Sequence, residues 1–154
     1  MAYKLDETDI KLINLLQEDS KQSIKELSAK LNLTIGPVHE RIKKLERNGL
    51  IKKYVALIDL EKVEKDLITY CAVSVDKHTK ENLEKFEKSV RKMSEVLECY
   101  TIAGSHDYLL KIIVEDMAAY QDFVINKLSA LESVSNVQSQ FVIKHVKFST
   151  AVML

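Results

Sequence analysis

The stretch that decides the fold of the first third of this chain is "SIKELSAKLNLTIGPVHERIKKLERNG", residues 23–49. Its first half has the pattern of a short helix. Ser23 and Glu26 have the spacing of a capping box, in which each side chain accepts a hydrogen bond from the other residue's backbone amide. Apolar residues follow at helical spacing as far as Leu31. We therefore predict a helix that begins after Ser23 and stops near Asn32.

The second half of the stretch has the pattern of a longer and more basic helix. Thr34 is placed to be its N-cap, and Pro37 falls in the first turn, where a missing amide hydrogen leaves nothing unpaired. Gly49 supplies a left-handed stop. The predicted buried face consists of Val38, Ile42 and Leu45, which recur at i, i+4 and i+7. Two helices joined by a tight turn, the second basic and ended by a glycine, indicate a helix-turn-helix.

The residues on either side extend this unit. Upstream, Asp6 is placed to cap a first helix with an apolar stripe that includes Ile10, Ile13 and Leu16. Downstream, "LIKKYVALIDL" alternates weakly between polar and apolar residues, which favours a wing or linker strand. We predict a winged helix-turn-helix domain over residues 1–52 and a linker or wing strand over residues 53–66.

From about Asp66 the hydrophobic period changes, and a second domain is predicted over residues 67–154. The strands are expected in "LITYCAVSV", "VLECYTIAG", "DYLLKIIVE" and "VQSQFVIKHVKF", with helices over residues 79–95 and after a capping Asp116. The order βαββαβ describes a ferredoxin-like sandwich, in which two helices cover one face of an antiparallel sheet. The fold class is therefore α+β. Because both strand faces are fairly apolar, we expect the open face to be buried against a second copy.

The net charge of zero hides a local pattern. Residues 20–53 contain nine basic side chains against three acidic ones, a net charge of +6, whereas residues 67–154 contain ten against eleven. A basic segment in an otherwise neutral protein is typical of a surface that faces nucleic acid. The predicted third helix presents His39, Glu40, Lys43 and Arg47 on its exposed face, with Arg41 and Lys44 on the flanks.

The stretch "IAGSHDYLLKI" contains the residue types of a hydrolase triad in Ser105, His106 and Asp107. A triad requires the histidine to lie between the other two side chains. Three consecutive residues of an extended chain point to alternate faces, so Ser105 and Asp107 are expected to point away from His106. The stretch also lacks the G-x-S-x-G elbow. We therefore predict a hairpin turn at Gly104 and no enzyme activity.

Composition narrows the class of protein further. No apolar run approaches the roughly 18 residues of a membrane span, and the first residues lack a signal pattern, so a cytoplasmic protein is expected. Cys71 and Cys99 lie in apolar runs and are predicted to be buried thiols rather than a disulfide. The four histidines are scattered without partner cysteines. We predict no metal and no cofactor.

Taken together, the two halves resemble the Lrp/AsnC family of transcriptional regulators over nearly the whole chain. The resemblance is carried by "LDETDIKLINLLQEDSKQSIKELSAKLNL", "HERIKKLERNGLIKKYVALID", "ECYTIAGSHDYLLKIIVEDM" and a late "V..V.S.FV". It implies a winged helix-turn-helix that binds double-stranded DNA, followed by a ferredoxin-like domain that senses a small molecule. It also implies assembly into homodimers and often homo-octamers.

The recognition helix is expected to supply the contacts with DNA. The expected residues are Thr34, Gly36, His39, Glu40, Arg41, Lys43, Lys44 and Arg47. The arginines and lysines are expected to bind phosphates, and His39 is the best candidate to approach a base. The chain departs from many family members at Ile35 and Gly36, where short polar residues are common. Neither residue offers a side-chain hydrogen bond to a base edge.

The resemblance also implies an effector site, usually for an amino acid, at the turn from Gly104 to Tyr108 and between dimers. The implied residues are Thr101, Ala103, Gly104, Ser105, His106, Asp107, Tyr108, Met117, Gln140, Phe141 and Val142. Backbone amides at a glycine-containing turn can hold a carboxylate, and Asp107 could accept from an ammonium group. Asp107 is expected to be dispensable for folding.

Two other interpretations remain open from the sequence. A stand-alone sensor or enzyme would explain the second half but would leave the basic helix-turn-helix unexplained. A nucleoid-like architectural protein with weak sequence preference shares every feature, and the apolar start of the recognition helix favours it slightly.

Overall fold

The computed structural model describes residues 3–154, which form two compact units. The first unit extends to Leu57 and includes the tail Val146–Leu154, and the second unit is Ile58–His145. The sequence analysis placed this tail in the second domain, predicted over residues 67–154. In the structure the Gln17 side chain donates to the Val152 carbonyl and accepts from the Val152 amide, both at 2.8 Å. These contacts associate the tail with the first unit.

The first unit contains three helices, α1 (Glu7–Glu18), α2 (Ile24–Leu31) and α3 (Ile35–Arg47). The predicted caps are present, each as a capping box. Asp6 accepts from the Asp9 amide and Ser23 from the Glu26 amide, and the Asp9 and Glu26 carboxylates accept in turn from the amides of Asp6 and Ser23. Asn32 ends α2 in the left-handed conformation, and Gly49 follows α3 with φ +70°. The core consists of Leu12, Leu27, Val38 and Leu45. The sequence therefore located the starts of α1 and α2 and the stops of α2 and α3, whereas Ile10 of the predicted α1 stripe is not part of the core.

The strand predicted within residues 53–66 is wrong. Among residues 3–154, no backbone segment pairs with this stretch, and its only regular structure is a 3-10 turn at Glu61–Val63. A strand requires a partner to satisfy its amides and carbonyls, and weak alternation of residue types cannot supply one. The apolar side chains of Tyr54, Val55, Leu57 and Ile58 are consequently exposed.

The second unit has the predicted βαββαβ order. Its elements are β1 (Leu67–Val75), α4 (Lys80–Val90), β2 (Val96–Thr101), β3 (Tyr108–Val114), α5 (Met117–Phe123, continued by a π-helical turn at Val124–Leu128) and β4 (Val134–Phe141). The four strands are antiparallel in the order β2-β3-β1-β4. The ferredoxin-like prediction is therefore confirmed. No described helix is long and apolar enough to cross a membrane.

Two element ends differ from the sequence prediction. The α4 helix was expected to reach residue 95 but ends at Val90, after which tight i→i−3 bonds from Lys92 and Met93 close the turn. The last strand was expected to continue to residue 148 but ends at Phe141. It ends there because Phe141 pairs with Thr69 and the partner strand β1 begins only two residues earlier.

One face of the sheet is buried under α4 and α5, and the other is open within the chain. The buried face includes Cys71, Val73, Tyr108 and Leu110. The open face is apolar at Ile68 and Ala72 of β1, but it also carries a Glu98–Lys111 ion pair at 3.0 Å, between β2 and the central strand β3, and Gln138 and Gln140 of β4. The expectation of two apolar faces therefore holds only in part. Cys71 is buried as predicted, whereas Cys99 on the edge strand is exposed.

The candidate recognition helix and effector loop

Helix α3 buries one face and exposes a basic one. Val38 and Leu45 are fully buried, whereas His39, Glu40, Lys43 and Arg47 are exposed, as the spacing predicted. Thr34 is the N-cap by position, but its hydroxyl makes no capping hydrogen bond with the first turn. Among residues 3–57, the His39, Glu40, Lys43 and Arg47 side chains are not covered, so this face can approach a groove of DNA.

Arg41 does not belong to that exposed basic set. Its Nη1 atom lies 2.6 Å from Asp6 Oδ2 and 2.5 Å from Asp9 Oδ1. The Asp9 side chain is 1% exposed and also accepts a hydrogen bond from the Tyr3 hydroxyl at 2.7 Å. Hydrogen bonds to Asp6 and then to Asp9 raise the pKa of the Arg41 guanidinium. The charge of Arg41 is thus paired with two carboxylates at the start of α1, and its phosphate role stays a prediction.

The remaining cations differ in how freely they can reach DNA. Lys44 lies over the Tyr3 ring, 4.8 Å from its centroid, in a cation–π contact. Lys43 has a loose i,i+3 contact with Glu46 at 3.8 Å and is more than half exposed. Such an exposed pair contributes at most a few tenths of a kcal/mol. Lys43 is therefore better placed than Arg41 or Lys44 to bind a phosphate, and Arg47 is exposed beside it.

A substitution at Gly36 tests whether the start of α3 has room for a side chain. A Cβ added at this position would meet no atom within 4 Å, and its backbone φ is not in the left-handed region. Alanine exceeds glycine in helix propensity by about 1 kcal/mol. We expect Gly36→Ala to raise the free energy of unfolding of the first unit by about 0.5–1 kcal/mol in urea titrations. A loss of stability would mean that the space above Gly36 is occupied.

The candidate effector loop, Ile102–Asp107, is a turn closed by backbone hydrogen bonds. Gly104 has φ +151°, which favours glycine, and the Ile102 amide bonds the Asp107 carbonyl at 2.9 Å. The Asp107 amide bonds the Val73 carbonyl, so the end of the loop is attached to β1. The predicted turn at Gly104 is therefore present.

Both carboxylate oxygens of Asp107 are engaged within the chain. Oδ2 accepts from the Val75 amide at 2.8 Å, and Oδ1 lies 2.9 Å from His78 Nε2. The Val75 amide and then His78 lower the pKa of this carboxyl group. These two contacts are an argument against the expectation that Asp107 is dispensable for folding, which stays a prediction. Val75 and His78 were not among the predicted site residues, because no local pattern links them to a turn about 30 positions away.

We therefore expect Asp107→Ala to lower the free energy of unfolding of the second unit by about 1–3 kcal/mol, because the Val75 amide loses its acceptor. Ser105→Ala, in the same loop but exposed, should change it by less than about 0.5 kcal/mol. Chemical denaturation of both variants provides the comparison. Equal stability of the two variants would show that the Val75–Asp107 bond has no net value.

His106 has different partners from those of a triad. Its Nδ1 lies 3.1 Å from Ser74 Oγ and its Nε2 lies 2.9 Å from Gln138 Oε1. Asp107 instead contacts His78. The His106 and Asp107 side chains thus have separate partners, and the Ser105 side chain is exposed, in agreement with the geometric argument from the sequence. Ser74 and Gln138 were missed, since they come from β1 and β4.

The remaining predicted effector residues lie at the opposite end of the sheet. Tyr108 pairs with Val73 on β1, whereas Phe141 pairs with Thr69, four residues away. At about 3.3 Å per residue this separation is roughly 13 Å along the strand. Gln140, Phe141 and Val142 at the end of β4, and Met117 at the start of α5, form this second group. One copy of the chain does not bring the two groups together.

The side chain of Tyr108 belongs to neither group. It is 2% exposed, stacks at 4.6 Å on Phe86 and donates to Glu87 Oε1 at 3.2 Å. Burial raises its pKa to about 12. Together with Thr101 it lines a cleft of about 470 Å³ between α4 and β2. Thr101 is thus beside the loop, but Tyr108 faces the helices and not the open face.

The first unit, with its basic α3, and the sheet-and-helix second unit define a class of protein: a DNA-binding regulator with a separate ligand-binding domain. Comparison with known families agrees. Residues 5–52 match the winged helix-turn-helix DNA-binding family model, and residues 69–152 match the Lrp/AsnC ligand binding domain. The chain belongs to the Lrp/AsnC family of transcriptional regulators.

Several relatives extend over nearly the whole chain. The Bkd operon transcriptional regulator of Pseudomonas aeruginosa is 32% identical over 96% of this chain and 97% of its own length. The DNA-binding transcriptional activator DecR of Escherichia coli is 35% identical with the same coverage. A transcriptional regulator from Neisseria meningitidis, solved as a complex with L-methionine, is 38% identical with a TM-score of 0.93, covering 97% of this chain and 96% of that one.

Proposed function

We propose that this chain regulates transcription in response to an amino acid, which binds to its second unit and alters its action on DNA. The observation that carries the proposal is the similarity to the regulator solved with L-methionine, which extends over both units. The DNA-binding role follows from membership of the family and from the exposed basic face of α3. The further step, from the relative's ligand to this chain, is the part that requires a test.

The proposed effector site combines the two groups at opposite ends of the sheet. Gly104 and Asp107 would provide a rigid loop at one end, and Met117, Gln140 and Phe141 would provide apolar and amide side chains from another copy. Such sharing of a site fits an assembly of dimers into an octamer, with the apolar centre of the open sheet face buried within each dimer. Because Asp107 is committed to Val75 and His78, its contribution is to hold the loop and not to bind an ammonium group.

The test of the effector is a thermal-denaturation screen of the full chain with each of the twenty amino acids. A ligand at 100 times its dissociation constant stabilises the folded state by about 2.7 kcal/mol, so we expect one or a few amino acids to raise Tm by several degrees. The apolar neighbours Met117 and Phe141 favour an apolar or amide-bearing amino acid. A screen in which none of the twenty raises Tm would contradict the proposal.

A nucleoid-like architectural role is the second candidate, and a specific observation favours it. The first two residues of α3 are Ile35, which is 56% exposed, and Gly36, and neither donates a side-chain hydrogen bond to a base. A salt titration of binding to a selected site and to random DNA distinguishes the two roles. A regulator binds its own site at least about 1,000-fold more tightly at physiological salt, whereas an architectural protein shows a ratio close to one.

A further inference from the structure

The exposed apolar side chain at the start of α3 has no role in the fold. Among residues 7–47, all of which the structure describes, Ile35 is the one large apolar residue with a mostly exposed side chain, at 56%. It is not part of the cluster formed by Leu12, Leu27, Val38 and Leu45. A side chain exposed to this extent adds little to the core, so it is available for contact with a partner outside the first unit.

The position of Ile35 suggests the chemistry of that partner. In helix-turn-helix proteins the N-terminal residues of the recognition helix contact base edges in the major groove. Only one group on those edges is apolar, the C5-methyl of thymine. The other side chains of the exposed face, such as His39 and Glu40, are polar or charged and suit hydrogen-bonding edges.

The residue that follows allows a close approach. At Gly36 no side chain projects, and apart from its two chain neighbours and the backbone of α3 no atom lies within 4 Å of the place where a Cβ would be. Pro37 follows within the first turn, where it lacks an amide hydrogen. Because Gly36 adds no side chain of its own, the Ile35 methyl groups can approach a base edge more closely than they could beside a larger residue.

We propose that Ile35 reads thymine: its side chain contacts the C5-methyl group of a thymine in the major groove of the DNA site. Sequence recognition by α3 then includes an apolar contact. Having Ile35 and Gly36 where short polar residues are common in the family would change which base group is recognised, and would not abolish recognition. This inference rests on the proposed DNA-binding function, and it goes beyond that function by naming the residue and the base.

The experiment replaces thymine by deoxyuridine, which lacks only this methyl group. Binding sites are first selected from a random DNA pool with the full chain, and each thymine of the selected site is then replaced in turn. For the wild-type protein we expect one thymine per half-site whose replacement weakens binding about fourfold, the value for burying one methyl group. Replacing it in both half-sites should weaken binding about fifteenfold.

Variants of the same helix separate the methyl contact from general affinity. Ile35→Ser should bind the thymine and deoxyuridine sites equally, whereas Ile35→Val should retain most of the difference. Lys43→Ala is the matched control on α3, because it should weaken binding to both sites by the same factor. As Ile35 is exposed, thermal denaturation should show that the Ile35→Ser protein is as stable as the wild type.

Several results would overturn the inference. Wild-type binding that ignores every thymine replacement would do so, as would an Ile35→Ser protein that is still sensitive to the methyl group. Selection of sites without any preferred thymine would leave DNA binding intact but remove thymine readout. A change of oligomeric state in Ile35→Ser would make Ile35 a subunit contact. Failure to bind any DNA at low salt would instead contradict the proposed function itself.

Discussion

The Arg41→Met variant is expected to lose about 3 kcal/mol of the free energy of unfolding of the first unit. Because the DNA-binding unit then unfolds at a lower temperature, DNA binding should be lost at temperatures where the wild-type protein still binds. Removing one partner of a buried ion pair typically costs 3–5 kcal/mol, and the value here is at the lower end because the Arg41 side chain is 30% exposed. Asp9 would remain buried with only Tyr3 and a backbone amide as donors. Hydrogen exchange of the α1–α3 amides measures the loss within that unit.

The effect should depend on pH in a defined direction. Burial raises the pKa of Asp9, but hydrogen bonds from Tyr3, Arg41 and the Asp6 amide outweigh it, so the pKa of Asp9 in the folded state lies below its ordinary value. A lowered carboxyl pKa contributes stability that is fully present above the unfolded pKa of about 4 and is lost as pH falls through the folded pKa. The difference between wild type and Arg41→Met should therefore shrink below about pH 4.

Two controls make the interpretation specific. Lys43→Met removes a cation from the same helix at an exposed position, so it should change stability by less than about 0.5 kcal/mol. The double variant Asp9→Leu with Arg41→Met removes both buried charges and should recover part of the loss. If Arg41→Met were as stable as wild type but bound DNA with a smaller salt dependence, Arg41 would be a phosphate contact after all.

The second large effect concerns the exposed cations of α3. We expect the Lys43→Ala, Arg47→Ala double variant to bind all DNA sequences more weakly, by about tenfold at low salt for each phosphate contact removed. Each phosphate contact removed should also reduce the slope of log K against log[salt] by about 0.9. In a dimer that uses both recognition helices, each substitution removes two contacts, so the slope should fall by about 3.6 in total.

Lys21→Ala and Lys25→Ala provide the comparison for this variant. Both residues belong to the same basic stretch, but they lie before and within α2, outside the recognition helix. Fluorescence anisotropy over a range of salt concentrations measures all of these proteins. A double variant of α3 with an unchanged salt slope would mean that another surface of the first unit faces the DNA.

The sequence predicted the helices of the first unit to within a few residues because their ends are determined locally. Asp6 and Ser23 accept from amides three residues ahead, and Gly49 takes the conformation that its missing Cβ permits. The order of strands and helices along the second unit, βαββαβ, followed from the change of hydrophobic period. These features depend on neighbours in sequence.

The contacts that could not be predicted have a different origin, since each depends on residues far apart in the chain. Arg41 has the helical position of a DNA contact, and only the fold brings it to Asp6 and Asp9, more than 30 residues earlier. Asp107 likewise appeared free until β1 placed the Val75 amide beside it. A strand at residues 53–66 could not be verified from one sequence, because strand formation is a property of a pair.

The separation of the candidate effector residues to opposite ends of one sheet has a genetic consequence. If each effector site takes its loop from one subunit and its Gln140–Phe141 edge from another, a defective subunit inactivates the sites that it shares with normal subunits. Loss-of-response alleles at either end should then be dominant when expressed beside the normal gene. Two different defective alleles, one at each end, should restore some functional sites in mixed assemblies, because some interfaces would combine the intact half of each.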